Sequence, residues 1–301
     1  MSRARLYAQL VRLPNLPSAF ADICLGALAA RALPGHWLPF AFLLLASGAL
    51  YCAGMVWNDF FDVEQDRRER PDRPVASGKV PPREAALLGS GLVAAGVLFA
   101  FLGGLAQDNP NFLSGTLALF LTGAIFLYDA WLKRTPLGPA GMGACRFLNV
   151  LLGLSASGEL HASLGLHVAF VVGLYIAGVT WLARTEARAS SKKQLTGAAL
   201  VMLAGLLFGL LLGGRVEPGT PSPLFPYLLV AVGFFVGLPV QRAVRKPTPD
   251  RVQAAVKRSL IGLILLDAVL ATVFAGTAGL VVLLLLAPSV YLNRRRWLYA
   301  T

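Results

Sequence analysis

Residues 58–66 read Asn58-Asp59-Phe60-Phe61-Asp62-Val63-Glu64-Gln65-Asp66. On a helix of about 3.6 residues per turn, Asn58, Asp62 and Asp66 recur at i, i+4 and i+8, with Asp59 one turn before Asp62. This spacing predicts four oxygen-bearing side chains on one face. Carboxylates gathered this closely repel one another unless a cation neutralises them, and hard oxygen donors suit Mg2+. Such an ion is held by a carboxylate or two together with substrate phosphates, so a diphosphate is the expected second partner. Arg67, Arg68, Arg70, Arg73 and Lys79 follow directly and offer phosphate ligands. The plainer reading, a solvated charged loop, fits less well, because the cluster sits at the end of a long apolar run.

That run is one of many. The chain has 301 residues, 56% hydrophobic and 14% charged, with a mean hydropathy of +0.65. This is more apolar than a soluble domain and predicts an integral, multi-pass membrane protein in a single domain spanning residues 1–301. Candidate spans fall at 14–31, 37–57, 84–105, 112–131, 136–157, 164–183, 195–213, 223–240, 259–275 and 277–293. They are expected to be helical, since in hydrocarbon each backbone polar group needs a partner within its own segment, and no period-2 alternation suggests a barrel. The expected fold is therefore all-α, with nine to ten transmembrane helices.

The net charge of +12 does not point to nucleic acid once the cations are sorted by loop. They fall at the N-terminus, in the loop after the second span, at Lys133 and Arg134, between Arg184 and Lys193, between Arg242 and Arg258, and at Arg294, Arg295 and Arg296. Alternate loops are nearly bare, which sets a cytoplasmic face by the positive-inside rule, with both termini on it if the span number is even. The acidic cluster lies on that face. A bacterial inner membrane is the expected location.

The acidic stretch matches the N-D-x-x-D-x-x-x-D signature of the UbiA family of intramembrane prenyltransferases. Arg70-Pro71-Asp72-Arg73-Pro74 with Ser77-Gly78-Lys79 is similar to the R-P-x-x-S-G continuation. The resemblance implies a UbiA-like helical bundle with a central cavity. It also implies that Asn58, Asp59, Asp62 and Asp66 bind Mg2+ and the diphosphate of a prenyl donor at the cavity's cytoplasmic mouth. Arg12, Asn15, Tyr128 and Lys133 look like family positions facing the polar head of that site. Membrane lipids surround the bundle, and the prenyl tail is expected between the helices.

The chain departs from the family at its second acidic motif. Where more aspartates are expected, it reads Trp181-Leu182-Ala183-Arg184-Thr185-Glu186-Ala187-Arg188, similar to an atypical EboC-like branch. Glu186 is the one remaining candidate there for a metal ligand, with Arg184 and Arg188 as cations toward the diphosphate. The alternative is that Glu186 pairs across a helical turn with an arginine that merely obeys the positive-inside rule.

Asp22, Arg146, Asn149 and Asp267 are polar residues within apolar segments, a placement that is costly and marks function or pairing. Arg146 and Asn149, three residues apart, share a helix face and are candidates for substrate contact; Asp22 and Asp267 are expected to pair or to hydrogen-bond. The expected reaction is transfer of a prenyl group from its diphosphate to a polar or aromatic acceptor. Asp59, Asp62, Asp66 and Glu186 are the catalytic candidates, and Arg70, Arg73, Lys133 and Arg184 bind the leaving group. A small polyhydroxylated acceptor would use the hydrogen bonds of Arg146 and Asn149. A lipid transporter or a non-catalytic prenyl-lipid binding protein are the competing classes. Acids concentrated at one face, and no internal repeat, weigh against the transporter.

Overall fold

Apolar runs of this length leave the backbone no partner but itself, and every element found is helical. The computed structural model describes residues 2–160, 162–184, 191–216 and 221–294. Glu186 and Arg188 lie outside the described residues. In chain order the helices are α1 (Arg3–Leu10), α2 (Leu16–Ala29), α3 (Trp37–Phe61), α4 (Val63–Glu69), α5 (Pro82–Leu105) and α6 (Leu113–Ala130), followed by α7 (Gly138–Leu154), α8 (Ala162–Ala183), α9 (Lys192–Leu210), α10 (Phe225–Arg245), α11 (Pro249–Ala275) and α12 (Leu286–Asn293).

Among the described residues, seven helical stretches are long and apolar enough to cross a membrane. The expected number was nine to ten, and the difference has two physical sources. Helices α2 and α7 have 14 and 17 residues, short of the roughly 20 that span a bilayer core. The last two apolar segments form one hairpin. Gly276, at φ 57, reverses the chain after α11, and the following 3-10 helix Gly276–Leu285 returns along it. Gly279 approaches so closely that a Cβ would lie 2.5 Å from the Ala271 carbonyl carbon.

Sequence neighbours pack as antiparallel pairs: α3 on α5, α7 on α8, α8 on α9, and α10 on α11. Helix α2 is enclosed by α7, α11 and α3. Side chains with little bulk make that enclosure possible, as between membrane helices generally. A Cβ on Gly26 would lie 2.5 Å from the Val150 carbonyl oxygen, and one on Gly153 2.7 Å from that of Ile23. The α2–α7 contact is thus backbone against backbone, and it brings the polar residues of both helices within hydrogen-bonding reach. The core behind it is Ile23, Leu25, Val150, Leu152, Leu154 and Leu266, all buried.

Candidate functional site

The ends of α3, α4 and α6 meet on the face that carries the arginines. The α-helix of the acidic stretch is interrupted at Asp62 (φ −97, ψ 6), although Asp62 and Asp66 still hydrogen-bond through the backbone as i and i+4. The four predicted side chains do not share one face. Asp59 and Asp66 turn toward Arg73, at 3.3 and 2.6 Å. Asn58 and Asp62 turn toward α6, where Asn58 donates to Asp129 (3.0 Å) and Asp62 pairs with Lys133 (2.8 Å). Charge pairing explains the split, because a carboxylate this far from water holds its charge only against a cation.

The pairs join into one continuous chain. From Asp66 it passes through Arg73 to Asp59, then through Arg12 to Asn58, at 3.0 Å to Asp59 and 2.9 Å to Asn58. From Asn58 it continues through Asp129 and Lys133 (3.8 Å) to Asp62 and Arg134 (3.4 Å). Four carboxylates therefore face four cations. Burial raises the Asp66 carboxyl above the usual range despite Arg73 beside it, and burial together with nearby Arg12 lowers the Arg73 guanidinium. Both shifts have burial as their largest cause, acting against the charged forms despite the pairing.

Arg184, exposed at the end of α8, donates to the Lys133 carbonyl (2.9 Å) and the Thr135 carbonyl (2.5 Å), fastening the α6–α7 turn that carries Lys133. Tyr128 stands beside Asp129, within electrostatic reach of Arg12 and Arg184. Asn15 precedes α2, where its carbonyl accepts from Ser18 Oγ. Arg70 is exposed at the end of α4, outside the network of pairs. Asp129 is the residue that sequence reasoning missed. Its signal was an acid at the end of a span, four residues before Lys133 and next to Tyr128.

A polar column on α3 leads inward from this mouth. Asn58, Met55, Tyr51 and Ser47 lie on one side of the helix: Met55 Sδ meets Arg12 Nη1 at 3.5 Å, and the Tyr51 hydroxyl lies 3.4 Å from the Arg12 carbonyl. Ser47 donates to Asn149 Oδ1 (2.8 Å). Asn149 Nδ2 in turn donates to the Ala19 carbonyl and to Asp22 Oδ2 (3.0 and 2.8 Å), so this amide is fully engaged in holding α2 to α7. Arg146 pairs with Asp22 Oδ2 (3.0 Å) and donates to Ser18 Oγ (2.9 Å).

Oxygen donors alone make up the acidic set at the mouth, which fits a hard divalent cation and no soft one. Among the described residues no three acids converge on a common point; the basic partners hold them apart. A groove of about 570 Å³ between α9 and α10 is lined by apolar side chains such as Leu203, Leu207 and Phe234 and lies away from the acids.

Residues 19–261 match the family described as the UbiA prenyltransferase family. A digeranylgeranylglyceryl phosphate synthase of Methanosarcina barkeri is 34% identical over 167 residues, 51% of this chain and 55% of that protein. Proteins of the same name from Methanococcoides burtonii and Ignicoccus hospitalis are 39% and 37% identical over 107 and 136 residues, which are 35% and 45% of this chain and 34% and 41% of theirs. The chain thus spans between a third and about half the length of these curated relatives. A solved structure of a digeranylgeranylglyceryl phosphate synthase in membranes superposes with a TM-score of 0.66 at 19% identity, covering 92% of this chain and 100% of that one. The apo structure of a UbiA homologue from Aeropyrum pernix K1 gives 0.63 at 19%, covering 91% and 98%. At that identity the likeness is one of fold.

Proposed function

Because the chain belongs to the UbiA prenyltransferase family, we propose that it transfers a prenyl group from a prenyl diphosphate to a hydroxyl-bearing acceptor, with Mg2+, at the cytoplasmic face of a bacterial inner membrane. The observation that carries this reading is the chain of ion pairs, bridged at Asn58 by hydrogen bonds, that runs from Asp66 to Arg134 and is built on the family's acidic signature. Its charges are balanced four against four, so an incoming diphosphate and a divalent cation can exchange with the internal partners at little net charge change. Arg12, Arg73, Lys133 and Arg134 turn to the diphosphate oxygens, as charge-assisted donors. Asn58, Asp59, Asp62, Asp66 and Asp129 are then the oxygen ligands left for the cation. Bound there, Mg2+ would supply charge stabilisation for the departing diphosphate.

Fixed cations near the leaving oxygens lower the barrier to breaking the allylic C–O bond, because they need no reorganisation as charge develops. Arg184 contributes indirectly, by holding the turn that carries Lys133. Glu186 is assigned a metal-ligand role by its place in the second acidic motif alone. The relatives named digeranylgeranylglyceryl phosphate synthase support prenyl transfer, in their case with a glyceryl phosphate product.

The test is Mg2+-dependent diphosphate release by purified protein from a panel of prenyl diphosphates with candidate acceptors, comparing wild type with Asp62→Ala and Glu186→Ala. Release that is lost in Asp62→Ala is expected. Donor binding without release across the whole acceptor panel would leave a lipid-binding protein, and absence of donor binding would end the proposal.

A further inference from the structure

Below the mouth the charges no longer balance. Asp22 on α2 and Asp267 on α11 are both wholly buried, and their carboxyl groups lie against each other. Arg146 is the one cation paired with them among the described residues. Asp22 Oδ2 receives hydrogen bonds from Arg146 and Asn149, whereas Asp22 Oδ1 and both oxygens of Asp267 receive none from the described residues. Two carboxylates sharing one site in an apolar interior cannot both stay ionised beside a single arginine. A proton on Asp267, donated to Asp22 Oδ1, supplies the missing bond and makes the group of three neutral.

Arg146 is not consumed by this arrangement. Two of its five N–H donors are engaged, with Asp22 and Ser18, and its side chain keeps 13% exposure although its partner Asp22 has none. Tyr51 lies within electrostatic reach of both Arg146 and Arg12, and among the described residues its hydroxyl has only the long 3.4 Å contact to the Arg12 carbonyl. Along α3, Tyr51 stands about 10 Å inward of Asn58. Buried polar groups left short of partners are where a polar ligand gains most.

We propose that Arg146 and Tyr51 form the acceptor subsite, with Asp22 and Asp267 as positioning residues, and that this subsite takes an uncharged hydroxyl or carbonyl oxygen and not a phosphate or carboxylate. Asp22 already neutralises Arg146, so an anionic acceptor would add an uncompensated charge in an apolar interior. The inference rests on the prenyl-transfer reading and deepens it.

The experiment uses purified full-length protein and matched acceptors that differ in one anionic group: glycerol against glycerol 1-phosphate, and hydroquinone against 4-hydroxybenzoate. Donor binding is read separately, as Mg2+-dependent association of geranylgeranyl diphosphate. The uncharged member of a pair is expected to support product formation better than its anionic counterpart by about tenfold or more. Arg146→Gln should raise the KM for that acceptor by about tenfold with a smaller change in kcat, with partial recovery in Arg146→Lys, while donor binding stays within about twofold. In infrared spectra the wild type should show a protonated carboxyl band that Asp267→Asn removes, a readout independent of turnover and of whether Arg146→Gln folds. Preference for the anionic member, no use of either member by a protein that binds donor, an unchanged acceptor KM in Arg146→Gln, or no such band in the wild type each overturns the inference while leaving donor binding intact. Loss of donor binding in the wild type strikes the prenyl-transfer reading itself.

Discussion

At the mouth of the bundle four carboxylates meet four cations, and Asp62, Arg12 and Arg134 keep part of their side chains open to water. About 16 Å further along α3, at the level of Ser47, two wholly buried carboxylates share one arginine, Arg146, which keeps 13% exposure. The residue types are the same and the electrostatics are opposite. At the mouth each charge can exchange its partner for an incoming ion, because solvent screens the intermediate arrangements. In the interior no exchange is affordable, so stoichiometry has to be completed by a proton and geometry by hydrogen bonds from Asn149 and Ser18. The mouth is suited to binding and releasing highly charged groups, and the interior to holding a fixed shape.

The sharpest way to break this comparison is to remove one acid from each region. Asp22→Ala should cost about 3–5 kcal/mol of stability, because it strands the buried Arg146 charge. Asp62→Ala should cost less, because Lys133 keeps Asp129 at 3.8 Å as a partner and Arg134 is largely in water. Reversible unfolding in detergent micelles compares the two, and equal losses would mean that the mouth is as rigid as the interior. For turnover the order reverses: Asp62→Ala should lower Mg2+-dependent diphosphate release by roughly 10²–10³-fold, the scale of removing one preorganised electrostatic group. Retained turnover in a folded Asp62→Ala protein would take the mouth out of the chemistry.

A smaller effect probes why the interior is fixed at all. Gly153→Ala puts a methyl group 2.7 Å from the Ile23 carbonyl oxygen, backbone that cannot move aside as a side chain could. Separating α2 from α7 should destabilise the protein by about 1–3 kcal/mol and loosen the Asp22–Arg146 pair, detectable as faster amide exchange in α2. At Gly91 no atom lies within 4 Å of a built Cβ, and the same substitution there should be neutral or slightly stabilising, by roughly 0.5–1 kcal/mol in a helix interior.

Much of this could be read in the residues. The acidic cluster, Arg73 and the one-sided distribution of cations follow from spacing and charge, because local helical pitch and the cost of charge in lipid act on nearby sequence, whereas Lys133 as a site residue came from the resemblance to the family. The clustering on one face did not follow, since the partners that draw Asp59 and Asp62 apart lie 14 and 71 residues away from them at Arg73 and Lys133. Asp129 was missed because a single acid in an apolar span is ambiguous until Asn58 is seen donating to it. Arg146 and Asn149 were legible as a pair on one helix face, yet only the backbone contact at Gly26 and Gly153 shows that Asn149 is used up in binding α2 while Arg146 retains free donors. The number of spans is not confirmed for a related reason: hydropathy marks apolar length, and the reversal at Gly276 is a backbone conformation.

The finest test concerns Asp66, where the mouth most resembles the interior. Burial holds its carboxyl above the ordinary range even though Arg73 lies 2.6 Å away. With the folded-state value raised, this group favours the ligand-free fold at low pH: that contribution is complete below the ordinary carboxylate value and is lost as pH rises through the raised one. Cation binding has the opposite sign, since the ligand is the ionised form. Over the interval between the ordinary and the raised value, Mg2+-dependent association of a prenyl diphosphate should therefore strengthen with pH by at most about tenfold per unit, while the ligand-free protein becomes slightly less stable. Asp66→Asn should flatten both curves together. If the binding curve keeps its slope in that variant, another acid of the network carries the proton, and Asp62, the most solvent-open of the four, is the next to replace.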